Sequence, residues 1–262
     1  MIAKSTPSQQ DDDTEMRFLD RTQLAIPDDW QSQVEDKVPN FQTYTKTAHA
    51  FERLALNGQR RRTGFRTYAP DVPMPPLWGR DKRVKDNLDR WSHGKCAYCE
   101  TPINARRSKQ VEHFQPKSLF PSLAYDFENY FLACNGCNGA KSDHWPKRGA
   151  YVRPDHRQVQ TRFNFDTKGR MTVQQGDNDA KRTVRDLELD RKELRKKRQV
   201  VIRMQTQMMQ RVIEAPLSCD RKYRWARVLV RDVEAPDVPF SQALIQTLCQ
   251  LWLDHCPDKP LV

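Results

Sequence analysis

Two Cys-x-x-Cys pairs, Cys96/Cys99 in CAYCE and Cys134/Cys137 in ACNGCN, constrain this chain more than any other feature. Four thiolates delivered by two tight turns suit tetrahedral zinc, and one shared ion would close the intervening segment into a loop with its ends clamped together. The alternative, two redox dithiols, lacks the βαβ pattern that such pairs require. The seven cysteines are odd in number, and the opening residues MIAKSTPSQQDDDTEM lack the apolar stretch of a signal peptide. Both observations favour a metal over disulfides and point to the cytoplasm, where thiols stay reduced. Four sulfurs leave no coordination position open for substrate, so zinc is expected to be structural and any chemistry to lie elsewhere.

The segment between the pairs carries that chemistry. Gln110–Phe114 reads as a short strand ending in Glu112 and His113, and Asn129–Ala133 as the strand that returns. Asn138 then falls on a short helix that begins at the second pair, with Lys141 one turn further on. The oxygens of Glu112 and Asn138 form a hard, weakly charged ligand set. It suits magnesium or manganese that keeps several waters and accepts a phosphate oxygen. His113 has the ordinary pKa range for deprotonating water near neutrality, and Lys141 is placed to hold a phosphate or balance charge. Taken singly, a strand histidine is usually structural and an asparagine after cysteine often caps a helix. It is the constellation that points to metal-assisted phosphodiester hydrolysis.

The pattern CxYC … EHFxPKS … NYFLACxxCNxxK resembles the HNH endonucleases, whose fold is a two-stranded ribbon and a helix around one metal. The resemblance implies that His113 is the general base, that Glu112 and Asn138 hold the metal, and that Asn129 orients the loop and the base. Asparagine at 138, where some members carry histidine, resembles the magnesium-using subtype. CAYCE, the EHFxPKS block and a trailing RFNFDTKGR … TVRDLELDRKEL together resemble the HNH subunit of Septu-type and retron-associated phage-defence systems over roughly residues 80–200. That closer resemblance implies an ATPase partner, with a retron reverse transcriptase as a further one.

The fold expected is α+β: a zinc-stapled ββα-metal core flanked by N- and C-terminal helices. Its parts are a polar, disordered tail (1–25), a helical arm (26–95), the nuclease core (96–150), and a β-hairpin with C-terminal helices (151–262). Within the arm, Trp30 and Val34 mark one helix, 41–56 a second, and Val84, Leu88 and Trp91 a third. In the last part, a hairpin turning at Lys168-Gly169 is expected to cover one side of the ribbon. A helix starts near Asn178. Asp190 is expected to cap a longer helix with an apolar stripe of Leu194, Val201, Met204, Met208 and Val212, and two further helices follow Pro216. The last has a wide apolar face, read as core rather than partner surface.

The formal net charge of +11 favours a polyanionic partner, and 45 Lys and Arg residues leave several clusters to meet it. Arg60, Arg61 and Arg62 beside Phe65 and Tyr68 suit phosphate contact with base stacking. Lys117, and Lys196 and Lys197 in a run from Arg191 to Arg198, suit backbone contact. Such contacts are blind to base sequence, so DNA, with RNA as the alternative, is left unassigned in sequence. No apolar run is long enough for a membrane span. A catalytically silent zinc-bearing binding module, or a subunit that serves mainly to hold the ATPase, would share the clamp. Neither needs the Glu-His, Asn, Asn, Lys set.

Overall fold

The computed structural model of the chain describes residues 19–38, 46, 48 and 74–261. The expected helix over 41–56 and the Arg60-Arg61-Arg62 cluster lie outside the described residues, apart from 46 and 48. The helices are α1 (Trp30–Lys37), α2 (Leu77–Arg80), α3 (Lys82–Trp91), α4 (Asn135–Lys141), α5 (Asn178–Asp186), α6 (Lys192–Glu214), α7 (Cys219–Val233) and α8 (Ser241–His255). The strands are β1 (Lys109–His113), β2 (Tyr130–Cys134), β3 (Phe163–Phe165) and β4 (Met171–Val173). No helix among the described residues is long and apolar enough to cross a membrane.

The ribbon is antiparallel, β1 on β2, in a register that runs from Lys109↔Cys134 to His113↔Tyr130. Cys134 ends β2 and is also the N-cap of α4, so strand and helix join with no loop between them. In β2, Tyr130, Phe131, Leu132 and Ala133 are all fully buried, which requires cover on both faces. α3 supplies one cover. Asp81 caps it by accepting the Arg83 N–H, and its stripe Val84, Leu88 and Trp91 is buried against the ribbon. Gly94, with φ +72°, then turns the chain from α3 into Cys96.

Residues 19–25, expected within the tail, lie against the core. Arg21 sits between the Trp91 and Phe131 rings, 4.3 and 4.4 Å from their centroids, and pairs with Asp155 at 2.8 Å. The Trp91 indole donates to the Asp20 carbonyl at 2.7 Å. A cation held between two rings and a carboxylate fixes 19–25 onto the core, which polarity alone does not foretell.

The long helix α6 is turned relative to the expected stripe. It buries Leu194, Arg198, Ile202 and Met209, whereas Met204 and Met208 are 59% and 45% exposed. Arg198, expected in a basic run that contacts a phosphate backbone, is 1% exposed. Its guanidinium donates to the Gly169 and Leu189 carbonyls and to Asp190 Oδ1, which offsets part of the cost of burying the charge. Asp190 does not cap α6, whose N-cap is Arg191. Its carboxylate instead accepts from Met171 N–H, Arg195 and Arg198.

Two apolar clusters result. One joins α1, α3, the ribbon and α5, and the other joins α6, α7 and α8, with Phe165 touching both. The β3–β4 hairpin packs mainly on α8 and α5 rather than over the ribbon. Leu244, Ile245, Leu248 and Trp252 of α8 are buried, so its apolar face is core. The fold is α+β.

Candidate nuclease centre

The four cysteines meet. Their sulfur atoms lie within 4.8 Å of one another, and Cys99 and Cys134 are 3.9 Å apart. A tetrahedron with zinc–sulfur bonds of about 2.3 Å has edges of about 3.8 Å, so the cluster fits zinc without rearrangement. Among the described residues this is the sole group of three or more His, Cys, Asp or Glu side chains close enough to share an ion. The first turn is built by Glu100 N–H donating to the Cys96 carbonyl, with Glu100 at φ +56°, and is tied to β2 by Ala97 N–H on the Leu132 carbonyl.

Arg191 leans over this cluster, its Nη1 3.6 Å from Cys137 Sγ. Burial opposes the guanidinium charge, and the Cys137, Cys99 and Cys134 sulfurs more than restore it. Gly136 makes room, since a Cβ there would sit 2.8 Å from Arg191 Nη2. Of the six basic residues from 191 to 198, Arg191, Arg195 and Arg198 are thus engaged within the fold. Lys192, Lys196 and Lys197 remain exposed.

Glu112 and His113 end β1 and, as strand neighbours, project to opposite sides. Glu112 faces α4 and the first knuckle. Its Oε1 is 2.5 Å from Lys141 Nζ and accepts the Tyr98 hydroxyl at 3.3 Å. Burial raises the Glu112 pKa, and Lys141 opposes this without cancelling it. Lys141 is fully buried and also donates to the His113 carbonyl at 3.0 Å. It stands behind the strand end rather than at the surface, out of reach of a phosphate.

His113 lies edge-on to Trp78 and Tyr130, with centroids at 4.7 and 5.0 Å. Its Nε2 is 3.0 Å from the Ala124 carbonyl. A carbonyl only accepts, so Nε2 carries the proton and Nδ1 is left with a free lone pair. Burial, with Lys117 adding to it, pushes the imidazole down to about 3, so it is neutral at physiological pH but a weaker base than the near-neutral imidazole expected from the sequence. Lys117 lies 5.5 Å from the Trp78 ring centre, and its charge acts on both Glu112 and His113.

Asn129 serves the loop between the strands. Its side chain accepts Gln115 N–H at 2.8 Å and donates to the Gln115 and Leu123 carbonyls at 3.0 and 3.2 Å, closing the loop that carries Lys117 and Ala124. Asn129→Ala is expected to cost about 2 kcal/mol or more, because the Gln115 groups lose their partners inside the fold. Urea unfolding of the two proteins checks this. Asn138 is half-buried on α4, one turn before Lys141 and hence on the same helix face, with no side-chain hydrogen bond among the described residues. Trp78, Tyr98 and the Ala124 carbonyl complete the centre. None carries a motif signal, although Tyr98 stands inside CAYC. A cavity of about 490 Å3 lined by Trp91, Glu100, Phe163 and Phe240 lies on the far side of the first knuckle and contains neither Glu112 nor His113.

Ribbon, helix, clamp and strand-end histidine define a class. Residues 96–144 match the family model described as HNH endonuclease. The chain is 32% identical over 109 residues to the Septu protein PtuB of Bacillus thuringiensis, an alignment covering 37% of this chain and 41% of that protein. It is 31% identical over 94 residues to the Septu protein PtuB of Bacillus mycoides (strain KBAB4), covering 30% and 32%. The chain therefore spans well under half the length of these curated relatives.

Proposed function

We propose that this chain is a metal-dependent HNH endonuclease that cuts nucleic acid, DNA in the first instance, as the effector subunit of an ATPase-regulated anti-phage defence system. The observation that carries the reading is a neutral His113 whose Nε2–H is committed to Ala124, on a segment that matches the HNH model and also holds Glu112 and Asn138. Likeness to the Septu proteins supports the defence role; an ATPase partner, and a retron reverse transcriptase beyond it, rest on the motif resemblance alone.

His113 Nδ1 accepts the proton of the attacking water while Ala124 holds the ring in one tautomer. Glu112 and Asn138 would hold magnesium or manganese, which when bound polarises the scissile phosphate and offsets charge on the departing oxygen. A carboxylate and a half-buried amide supply the hard oxygen donors that such an ion takes. Lys117 adds positive charge at the same face, where a phosphodiester backbone approaches. Lys196 and Lys197 extend the charge along α6, and Lys197 borders a groove beside the knuckles that Ser108 and Asn135 also line.

The test is incubation of the purified chain with supercoiled plasmid, and separately with single-stranded RNA, with manganese or magnesium and with EDTA, alone and with its ATPase partner. Ion-dependent nicked or linear plasmid is expected. Cleavage of RNA alone reassigns the substrate. Binding of plasmid without cleavage in every arm overturns the enzyme in favour of a silent zinc-bearing binding subunit.

A further inference from the structure

Glu112 is held at a single oxygen by two side chains, one from each zinc knuckle. Tyr98 lies between Cys96 and Cys99, and its hydroxyl donates to Glu112 Oε1 at 3.3 Å. Lys141 lies one turn of α4 beyond Cys137, and its ammonium meets the same oxygen at 2.5 Å. Tyr98 is 8% exposed, Glu112 3% and Lys141 0%, so neither partner of the carboxylate reaches solvent or a passing phosphate. A carboxylate free to turn presents either oxygen in many directions. With Oε1 held from two sides, the carboxylate keeps one orientation.

The hydroxyl is placed by the clamp rather than by β1. The Tyr98 ring packs on Phe131, at 6.4 Å between centroids, and its backbone is part of the turn that Cys96 and Cys99 close. We propose that Tyr98 is a positioning residue through which the cysteine clamp sets the Glu112 carboxylate, so that the strength of divalent-ion binding at the nuclease centre depends on the clamp. The zinc cluster then does more than hold the fold: it aims a ligand of the second metal. This rests on the reading of Glu112 as that ligand. A hydrogen-bonded partner that orients a ligand typically accounts for about tenfold or more in metal affinity.

The experiment compares zinc-loaded wild type, Tyr98→Phe, Glu112→Gln and the double variant, with manganese binding measured directly by the loss of the free-ion electron paramagnetic resonance signal. Phenylalanine keeps the ring against Phe131 and removes one oxygen, and zinc content and thermal unfolding are expected to be unchanged. Tyr98→Phe should weaken manganese binding about tenfold and raise the manganese concentration for half-maximal cleavage by the same factor, with turnover at saturating manganese within about twofold. In the Glu112→Gln background the same change should have no further effect on binding. Unchanged manganese affinity in Tyr98→Phe, with Glu112→Gln weakened, overturns the positioning role alone. Unchanged affinity in Glu112→Gln overturns the assignment of Glu112 as ligand, and the positioning role with it.

Discussion

Cys137→Ser is expected to unfold the nuclease core, and to do so without unfolding the whole chain. The elements that the clamp joins are too small to stand alone. A two-stranded ribbon is marginal in water, and α4, at 7 residues, is shorter than an isolated helix can be. Zinc binding to such sites is worth roughly 10–16 kcal/mol, against about 5–15 kcal/mol for the stability of a whole domain. Losing one ligand therefore removes an amount comparable with everything the fold has in reserve. Serine nearly matches the volume of the thiol, so the effect reports the metal and not a cavity. Helices α6, α7 and α8 have their own apolar cluster, with Ile202, Met209, Leu248 and Trp252 buried, so far-UV helical signal should fall only in part. The measurements are zinc per chain and thermal unfolding by circular dichroism. A zinc-free Cys137→Ser protein that melts as wild type does would remove the clamp from the account.

The core was legible from sequence because its determinants are local and chemically narrow. Cysteine pairs at fixed spacing have few uses, and Glu112, His113 and Asn138 sit within a motif whose strand and helix periods are short. What was not legible depends on packing between distant segments. Met204 and Met208 look like a buried stripe, yet α6 turns them outward because Arg198 satisfies its whole guanidinium inside, on carbonyls that only the β3–β4 turn and the α5–α6 connection supply. A charge with all its partners in place can occupy a core position, and periodicity of apolar residues then gives the wrong phase. The same limit hid Arg21, read as tail, and Arg191, read as part of a backbone-contacting run. Each is fixed by groups more than 50 residues away, Asp155 for one and Cys137 for the other. Lys141 was found by its motif, but its direction was not: a lysine near a nuclease centre suggests phosphate, whereas burial against Glu112 shows support from behind.

His113→Ala is expected to reduce cleavage by about 10²–10⁴-fold, the range a positioned general base supplies, while leaving the fold in place. The structural part of that expectation follows from the partners of the ring. Removing it leaves the Ala124 carbonyl with the Tyr130 hydroxyl, which already donates to it at 2.6 Å, so no buried acceptor is orphaned. The His113 backbone keeps its pairing with Tyr130 and its carbonyl keeps Lys141. What is lost is edge packing on Trp78 and Tyr130, a cavity cost that the zinc-clamped ribbon can bear. Zinc content and direct manganese binding should therefore match wild type, since neither metal site uses the imidazole. That combination separates the base from the ligands: Glu112→Gln should lose manganese binding and cleavage together, whereas His113→Ala should lose cleavage alone. Cleavage by His113→Ala at the wild-type rate, in single-turnover measurements with saturating manganese, would place the base elsewhere and leave His113 as a packing residue between two rings.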